Sequence, residues 1–115
     1  MKSTIITKGI EAGQSWREYI MERMDAALIY AEDSIHFITV RLSDTNGPRG
    51  GVDKRCQIHL KPTGLPAVIV TEVSTSVSDA IDRAMERAAR VVKRTLERAN
   101  AIQPINVPVL RRIGM

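Results

Sequence analysis

The chain has 115 residues, of which 43% are hydrophobic and 26% are charged, and such a composition is typical of one folded domain with a single core. The formal net charge of +4 favours anionic partners without identifying one, and aromatic residues at 3% of the chain leave few rings for stacking on bases. A single cysteine excludes an internal disulfide framework and a cysteine-based zinc finger, and it indicates a reducing compartment.

The first half of the chain predicts a strand, a helix and a second strand. The N-terminal segment has no apolar stretch of signal-peptide length, so we expect a cytoplasmic protein. Residues Ser3 to Thr7 are β-branched or small and predict a short strand. From Gln14 to about Tyr30 the apolar residues recur three and four apart, which predicts an amphipathic helix. Ile35 to Leu42 alternates as a strand does, with His36 on the apolar side.

The second half predicts two further strands and a long helix. Arg55 to Lys61 alternates as a half-buried strand, and Ala67 to Val73 is a strand whose apolar run is too continuous to assign its faces. Ser76, followed three residues later by Asp79, resembles a capping box and opens a helix that extends from Val77 to about Asn100.

The order β-α-β-β-β-α predicts an α+β fold in two layers, with both helices packed on one face of a four-stranded sheet. We expect residues 1–100 to form this domain. Residues 101–115 contain two prolines and no periodicity, so we interpret them as a C-terminal tail.

Arginine is concentrated on one side of the predicted last helix. At 100° per residue the apolar positions share one broad side, and beside it five arginines recur at spacings of four, three, four and four: Arg83, Arg87, Arg90, Arg94 and Arg98. One interpretation is a solvated face with weak pairs such as Asp79–Arg83 and Glu86–Arg90, each worth about 0.2–0.5 kcal/mol. The other is a polyanion-binding surface, since five arginines exceed what the nearby acids can neutralise and guanidinium suits phosphate.

The segment from Asp44 to Cys56, DTNGPRGGVDKRC, is rich in glycine and basic residues. It has no Gly-Lys-Ser or Gly-Lys-Thr, does not fit GxGxxG and joins two strands, so we interpret it as a hairpin connection and not as a nucleotide-binding loop. Arg49, Lys54 and Arg55 are then either solubilising charges or a second RNA contact.

Other reactive side chains give no assembled site. Cys56 and His59 lie three apart on a strand, so we expect them on opposite faces, and we expect no metal site, cofactor or catalytic centre. A less favoured hypothesis for the function of the chain is a small enzyme or ligand-binding protein that uses the 44–56 loop with Asp44, Asp53 and His59.

The chain resembles the ribosome hibernation promoting factors and ribosome-associated inhibitors, also called sigma-factor modulation proteins, from about Ser3 to Asn100. The likeness is in QSWREYIMERMDAAL, where Arg23 matches a basic position typical of the family, and in SVSDAIDRAMERAARVVKRTL, whose Ala80-Ile81-Asp82 looks like the family's alanine-isoleucine-aspartate core. The tyrosine usual before that core is replaced by Ser78 or Asp79, and the tail predicts a short form without the dimerising second domain.

The resemblance implies a protein that is not an enzyme, that binds the small ribosomal subunit and its ribosomal RNA, and that blocks translation in quiescent cells. It implies contacts from helix residues to phosphates, which fits Arg23 and the arginines of the last helix. It implies neither a membrane nor a small-molecule substrate as partner. The alternative within the same fold is a general adaptor for structured RNA or for a protein complex.

Overall fold

Residues 1–10, 13–44 and 53–102 are described by the computed structural model, with 13–14 and 100–102 as backbone only. The elements in chain order are β1 (Lys2–Lys8), α1 (Gly13–Leu28), a 3₁₀ helix (Ile29–Ser34), β2 (Ile35–Asp44), β3 (Lys54–Pro62), β4 (Val68–Ser74) and α2 (Val77–Ile102). This order of strands and helices confirms the predicted α+β fold.

The four strands form one mixed sheet in the order β1-β2-β3-β4. β1 is parallel to β2, and the other neighbouring pairs are antiparallel. Parallel neighbours need a long crossover, which α1 and the 3₁₀ helix provide. α2 packs over β3 and β4, whereas Met21 of α1 contacts Ser3 of β1, so the two helices lie side by side over one face.

The core lies between this face and the helices. β2 contributes Ile38, Val40 and Leu42, and β3 contributes Cys56, Ile58 and Leu60. The helical residues that complete it are Ile20, Met24, Leu28, Ala80, Ile81, Ala84, Met85, Ala88 and Val92. All are at most 2% exposed, so the apolar side predicted for each helix is the side that is buried.

An irregularity at the start of β2 changes the predicted faces of that strand. The pairing of β2 with β3 shifts between Ile35 and Phe37, which breaks strict alternation. Ile35 is therefore buried and His36 is exposed, so the prediction that His36 lies on the apolar face was wrong. In β4 the buried Val70 and Ser74 face the core, and the exposed Ile69 and Val73 face the other way.

The helix ends and the loop differ in detail from the predicted bounds. α1 ends at Leu28 and the 3₁₀ helix continues, while α2 extends to Ile102. β2 and β3 pair up to Asp44 and Lys54, which confirms that the segment joins two strands. The predicted turn residues at 46–51 and the rest of the tail, 103–115, lie outside the described residues. No helix in the described ranges is both long and apolar enough to cross a membrane.

The start of α2 is fixed by serine side chains. The backbone N–H of Asp79 donates to Ser76 Oγ at 3.2 Å, as the capping pattern predicts. The carboxylate of Asp79 does not return this bond to Ser76. It accepts a 2.7 Å hydrogen bond from Ser74 Oγ instead, which ties the helix to the end of β4.

We expect Ser76→Ala to lower the free energy of unfolding by about 1 kcal/mol, because the cap of α2 is lost. Thr75→Ala, at the exposed neighbouring position, is the matched control and should change it by less than about 0.5 kcal/mol. Urea denaturation followed by circular dichroism measures both. Equal values for the two variants would show that the cap contributes nothing.

Candidate nucleic-acid interface

The basic surface of α2 is the exposed side of an amphipathic helix. Buried positions recur at Ala80, Ala84, Ala88 and Val92, and the small alanine side chains let the helix lie close to the sheet. Beside them is an exposed row that we call the arginine stripe: Arg83, Arg87, Arg90, Arg94 and Arg98. The exposure of all five guanidinium-bearing side chains leaves them accessible to a ligand.

Three arginines of the stripe form ion pairs with carboxylates. Arg83 Nε lies 3.1 Å from Asp79 Oδ2 and Arg90 Nη1 lies 3.2 Å from Glu86 Oε1, the two pairs that helical spacing predicts. Arg87 Nη1 instead reaches Glu72 Oε2 on β4 at 2.9 Å. These arginine side chains are 51–60% exposed, so each pair is worth about 0–1 kcal/mol and a phosphate can compete with it.

The C-terminal part of the stripe has excess positive charge. Within the described residues, neither Arg94 nor Arg98 has a carboxylate within ion-pairing distance, and the two arginines are four residues apart on one side of the helix. Like charges this close on a helix repel each other. A polyanion over this part of α2 would relieve that repulsion without breaking any existing ion pair.

Arg23 is held at the contact between the two helices. Its Nε lies 2.9 Å from Asp82 Oδ1, the oxygen that also accepts a 2.6 Å hydrogen bond from the Tyr19 hydroxyl. The hydrogen bond to Tyr19 and the bond and charge of Asp82 raise the pKa of Arg23, so it stays charged. Its guanidinium carbon is 5.5 Å from the centre of the Tyr19 ring. Asp82 thereby positions Arg23 relative to α2.

The alanine-isoleucine-aspartate core has a structural role that the same contacts explain. Ala80 and Ile81 are fully buried on the core side of α2. Asp82, the next residue of the helix, binds the α1 side chains Tyr19 and Arg23. The motif therefore fixes how α2 lies against the sheet and against α1.

A shallow groove of about 480 Å³ runs between the helices. Ala26, Ala27, Met85 and Ala89 line it together with two arginines and two carboxylates: Arg23, Arg90, Asp82 and Glu86. The structure thus brings Arg23 near the N-terminal half of the stripe, which the sequence could not show because the two helices are separated by three strands.

The basic residues of the loop segment do not form one group. Lys54 faces the core side, where its Nζ lies 2.8 Å from Asp53 Oδ1 and 3.2 Å from Asp44 Oδ2. The hydrogen bond to Asp53 is the main cause that raises the pKa of Lys54. Arg55 is exposed on the opposite face of the sheet, and Arg49 lies outside the described residues. Lys54 therefore neutralises carboxylates, and Arg55 alone of the described pair is available to a partner.

The catalytic grouping considered for the loop is not assembled. Asp44 and Asp53 both pair with Lys54, whereas His59 lies opposite Thr39 on the other face of the sheet. Cys56 is on the core face, as expected, and burial raises the pKa of its thiol to about 12, so it is a poor nucleophile. Across the described ranges, no group of three or more His, Cys, Asp or Glu side chains is placed to hold a metal ion.

Together these features define a class of protein: a two-layer α+β domain with an exposed basic surface on its helices. The family described as "Sigma 54 modulation protein / S30EA ribosomal protein" matches residues 4–100. The chain belongs to this family, which is one of ribosome-associated factors and not of enzymes. The resemblance inferred from the two helical segments is confirmed.

Two solved structures are similar to the domain. The N-terminal domain of Protein Y from Thermus thermophilus is 25% identical, with a TM-score of 0.68 over 83% of this chain and 99% of that one. A ribosomal subunit interface protein from Coxiella burnetii has the same fold, with a TM-score of 0.72 at 13% identity, over 84% of this chain and 99% of that one. No curated protein sequence matches the chain.

Proposed function

We propose that this protein binds the small ribosomal subunit through the arginine stripe and Arg23, contacts ribosomal RNA phosphates, and inhibits translation in quiescent cells. The observation that supports this most is the exposed stripe of α2, whose C-terminal arginines lack carboxylate partners within the described residues. Membership in a ribosome-associated family supports the choice of partner. The likeness to a ribosomal subunit interface protein supports the intersubunit side of the ribosome as the site.

Binding of this kind needs no catalysis and no base readout. Phosphate contacts position a protein on RNA, and shape together with backbone charge is enough for recognition of structured RNA. Arginine offers a planar fork of N–H donors that matches two phosphate oxygens. Occupation of the small subunit would exclude messenger and transfer RNA sterically, and the protein would act in the cytoplasm.

Sedimentation with purified small subunits tests the proposal. We expect the protein to migrate with the subunits on a sucrose gradient at about 50 mM salt. If the six arginines each neutralise one phosphate, the affinity should fall about 10²–10³-fold when the salt rises fourfold, because each contact releases counterions. An in vitro translation reaction should be inhibited over the same range of protein concentration. Protein that stays at the top of the gradient at low salt would contradict the proposal.

The same experiment separates the ribosome from other structured RNA. A purified RNA duplex, which is structured but is not a ligand of translation, is the matched competitor. We expect it to displace the protein from subunits only in large molar excess. Displacement at equimolar concentration would instead favour the general RNA adaptor.

A further inference from the structure

The face of the sheet that the helices leave uncovered is also basic. Alternation places on this open face the side chains of four cross-strand rows, and the rows contain five cations: Lys2, Lys8, Arg41, Arg55 and Lys61. Of the described strand residues that point from this face, none is Asp or Glu. The open face therefore has a positive potential of its own, on the opposite side of the sheet from the arginine stripe.

Three of these cations converge at one end of the face. Lys8, Ser43 and Arg55 share one cross-strand row, and Arg41 belongs to the next row, paired with Gln57. They line a groove of about 700 Å³ with Ile6 on its apolar side. Gly9, at a φ of +73°, closes the end, and a Cβ there would meet the Asp44 carbonyl oxygen at 3.0 Å. Asp44 also lines the groove, but its carboxylate is ion-paired with Lys54.

Two rings lie farther along the same central strands. Phe37 on β2 and His59 on β3 are half-buried on the open face, with ring centres 5.6 Å apart. Each ring is on the strand that also carries an arginine of the groove: Phe37 with Arg41 on β2, and His59 with Arg55 on β3. The cations and the rings thus lie along the direction of the two central strands, β2 and β3.

We propose that the open face binds a single strand of RNA, with phosphates against Lys8, Arg41 and Arg55 and bases on the Phe37 and His59 rings. An open sheet face with rings on its central strands and cations beside them is suited to unpaired bases, which can stack while their backbone is neutralised. A second copy of the chain is disfavoured as the occupant, because two such faces would bring like charges together.

This surface goes beyond the proposed subunit contact, since it lies on the other side of the sheet and takes unpaired RNA. With both surfaces occupied, the domain would lie between a structured RNA and a single strand. The two proposals can fail separately, because the open face is tested with a free oligonucleotide and the subunit contact by sedimentation.

The test is a fluorescence anisotropy titration of the full chain with a labelled oligouridine of about 12 nucleotides, which has no secondary structure. We expect Arg41→Glu/Arg55→Glu to weaken binding by about tenfold or more at about 50 mM salt. The variant should also lower the salt slope of log K by about 1.4, which corresponds to two lost phosphate contacts on a single strand. Arg17→Glu, at an exposed position of α1 outside both surfaces, is the charge control for the single variant Arg41→Glu and should weaken binding by less than about threefold.

Phe37→Leu tests the stacking part, because it keeps the apolar volume and removes the ring. We expect about a fivefold loss of oligouridine affinity without a change in the salt slope. Thermal unfolding checks that each variant is folded. The proposal is overturned if the wild-type chain does not bind oligouridine, if Arg17→Glu and Arg41→Glu lose affinity equally, or if an oligoglutamate peptide of similar length binds the open face more tightly than the RNA.

Discussion

Arg94→Glu/Arg98→Glu is expected to abolish co-sedimentation with small subunits at a salt concentration that leaves the wild-type protein bound. Both side chains are exposed on α2, and neither has a carboxylate partner among the residues described. Each reversal removes a charge-assisted contact worth about 1.5–3 kcal/mol and sets a carboxylate against phosphate. The affinity should therefore fall by at least about tenfold for each residue and about a hundredfold for the pair.

Arg17→Glu is the matched control for the single variant Arg94→Glu. Arg17 is exposed on α1, which lies beside α2 and over the β1 side of the sheet, and its reversal changes the net charge by the same amount. We expect a loss of less than about threefold for this control, from the long-range field alone. Equal losses for Arg17→Glu and Arg94→Glu would mean that net charge, and not the arginine stripe, determines binding.

The second large effect is expected in the core. Ile58→Ala should lower the free energy of unfolding by about 2–5 kcal/mol, because Ile58 is fully buried on the central strand β3 and its loss leaves a cavity. A domain of this size is stable by about 5–15 kcal/mol, so the variant should be unfolded at a clearly lower urea concentration. Equilibrium urea denaturation followed by circular dichroism gives the value.

The control for Ile58→Ala is the same substitution on the other face of the sheet. Ile69 on β4 is 59% exposed and pairs with His59, the neighbour of Ile58 in sequence. Ile69→Ala should cost less than about 0.5 kcal/mol, since it opens no cavity. A large loss at Ile69 with a small one at Ile58 would contradict the assignment of the two faces.

The elements of this fold follow from the sequence wherever one residue type dominates one side. Helix α2 has an apolar side of alanine and aliphatic residues, and the strands β2 and β3 alternate, so their existence and order could be predicted. The pairing shift that exposes His36 could not, because it depends on how β2 meets β3 and not on β2 alone. The faces of β4 were equally hidden, since valine and isoleucine occupy both sides of that strand.

The candidate site was predictable to the same extent. Helical spacing places the five arginines of α2 together and predicts the pairs Asp79–Arg83 and Glu86–Arg90. It cannot predict that Glu72 reaches Arg87 or that Asp82 holds Arg23, because these contacts join separate elements. Lys8 and Arg41 were missed as possible ligands for the same reason: only the strand register brings them beside Arg55. The basic residues on the solvent-exposed side of each strand were a usable signal for this surface, once the strands are considered together as one sheet.

The contact between Arg87 and Glu72 has a consequence for the entropy of binding. Glu72 is on β4, so this weak ion pair favours conformers of Arg87 that lie against the sheet and not only along its own helix. The contact engages Nη1, and a guanidinium has five N–H donors, so others stay available to a phosphate. Immobilising such a side chain on binding costs about 0.5–1.5 kcal/mol. At Arg87 part of this ordering is complete before the ligand arrives, and the side chain is preorganised.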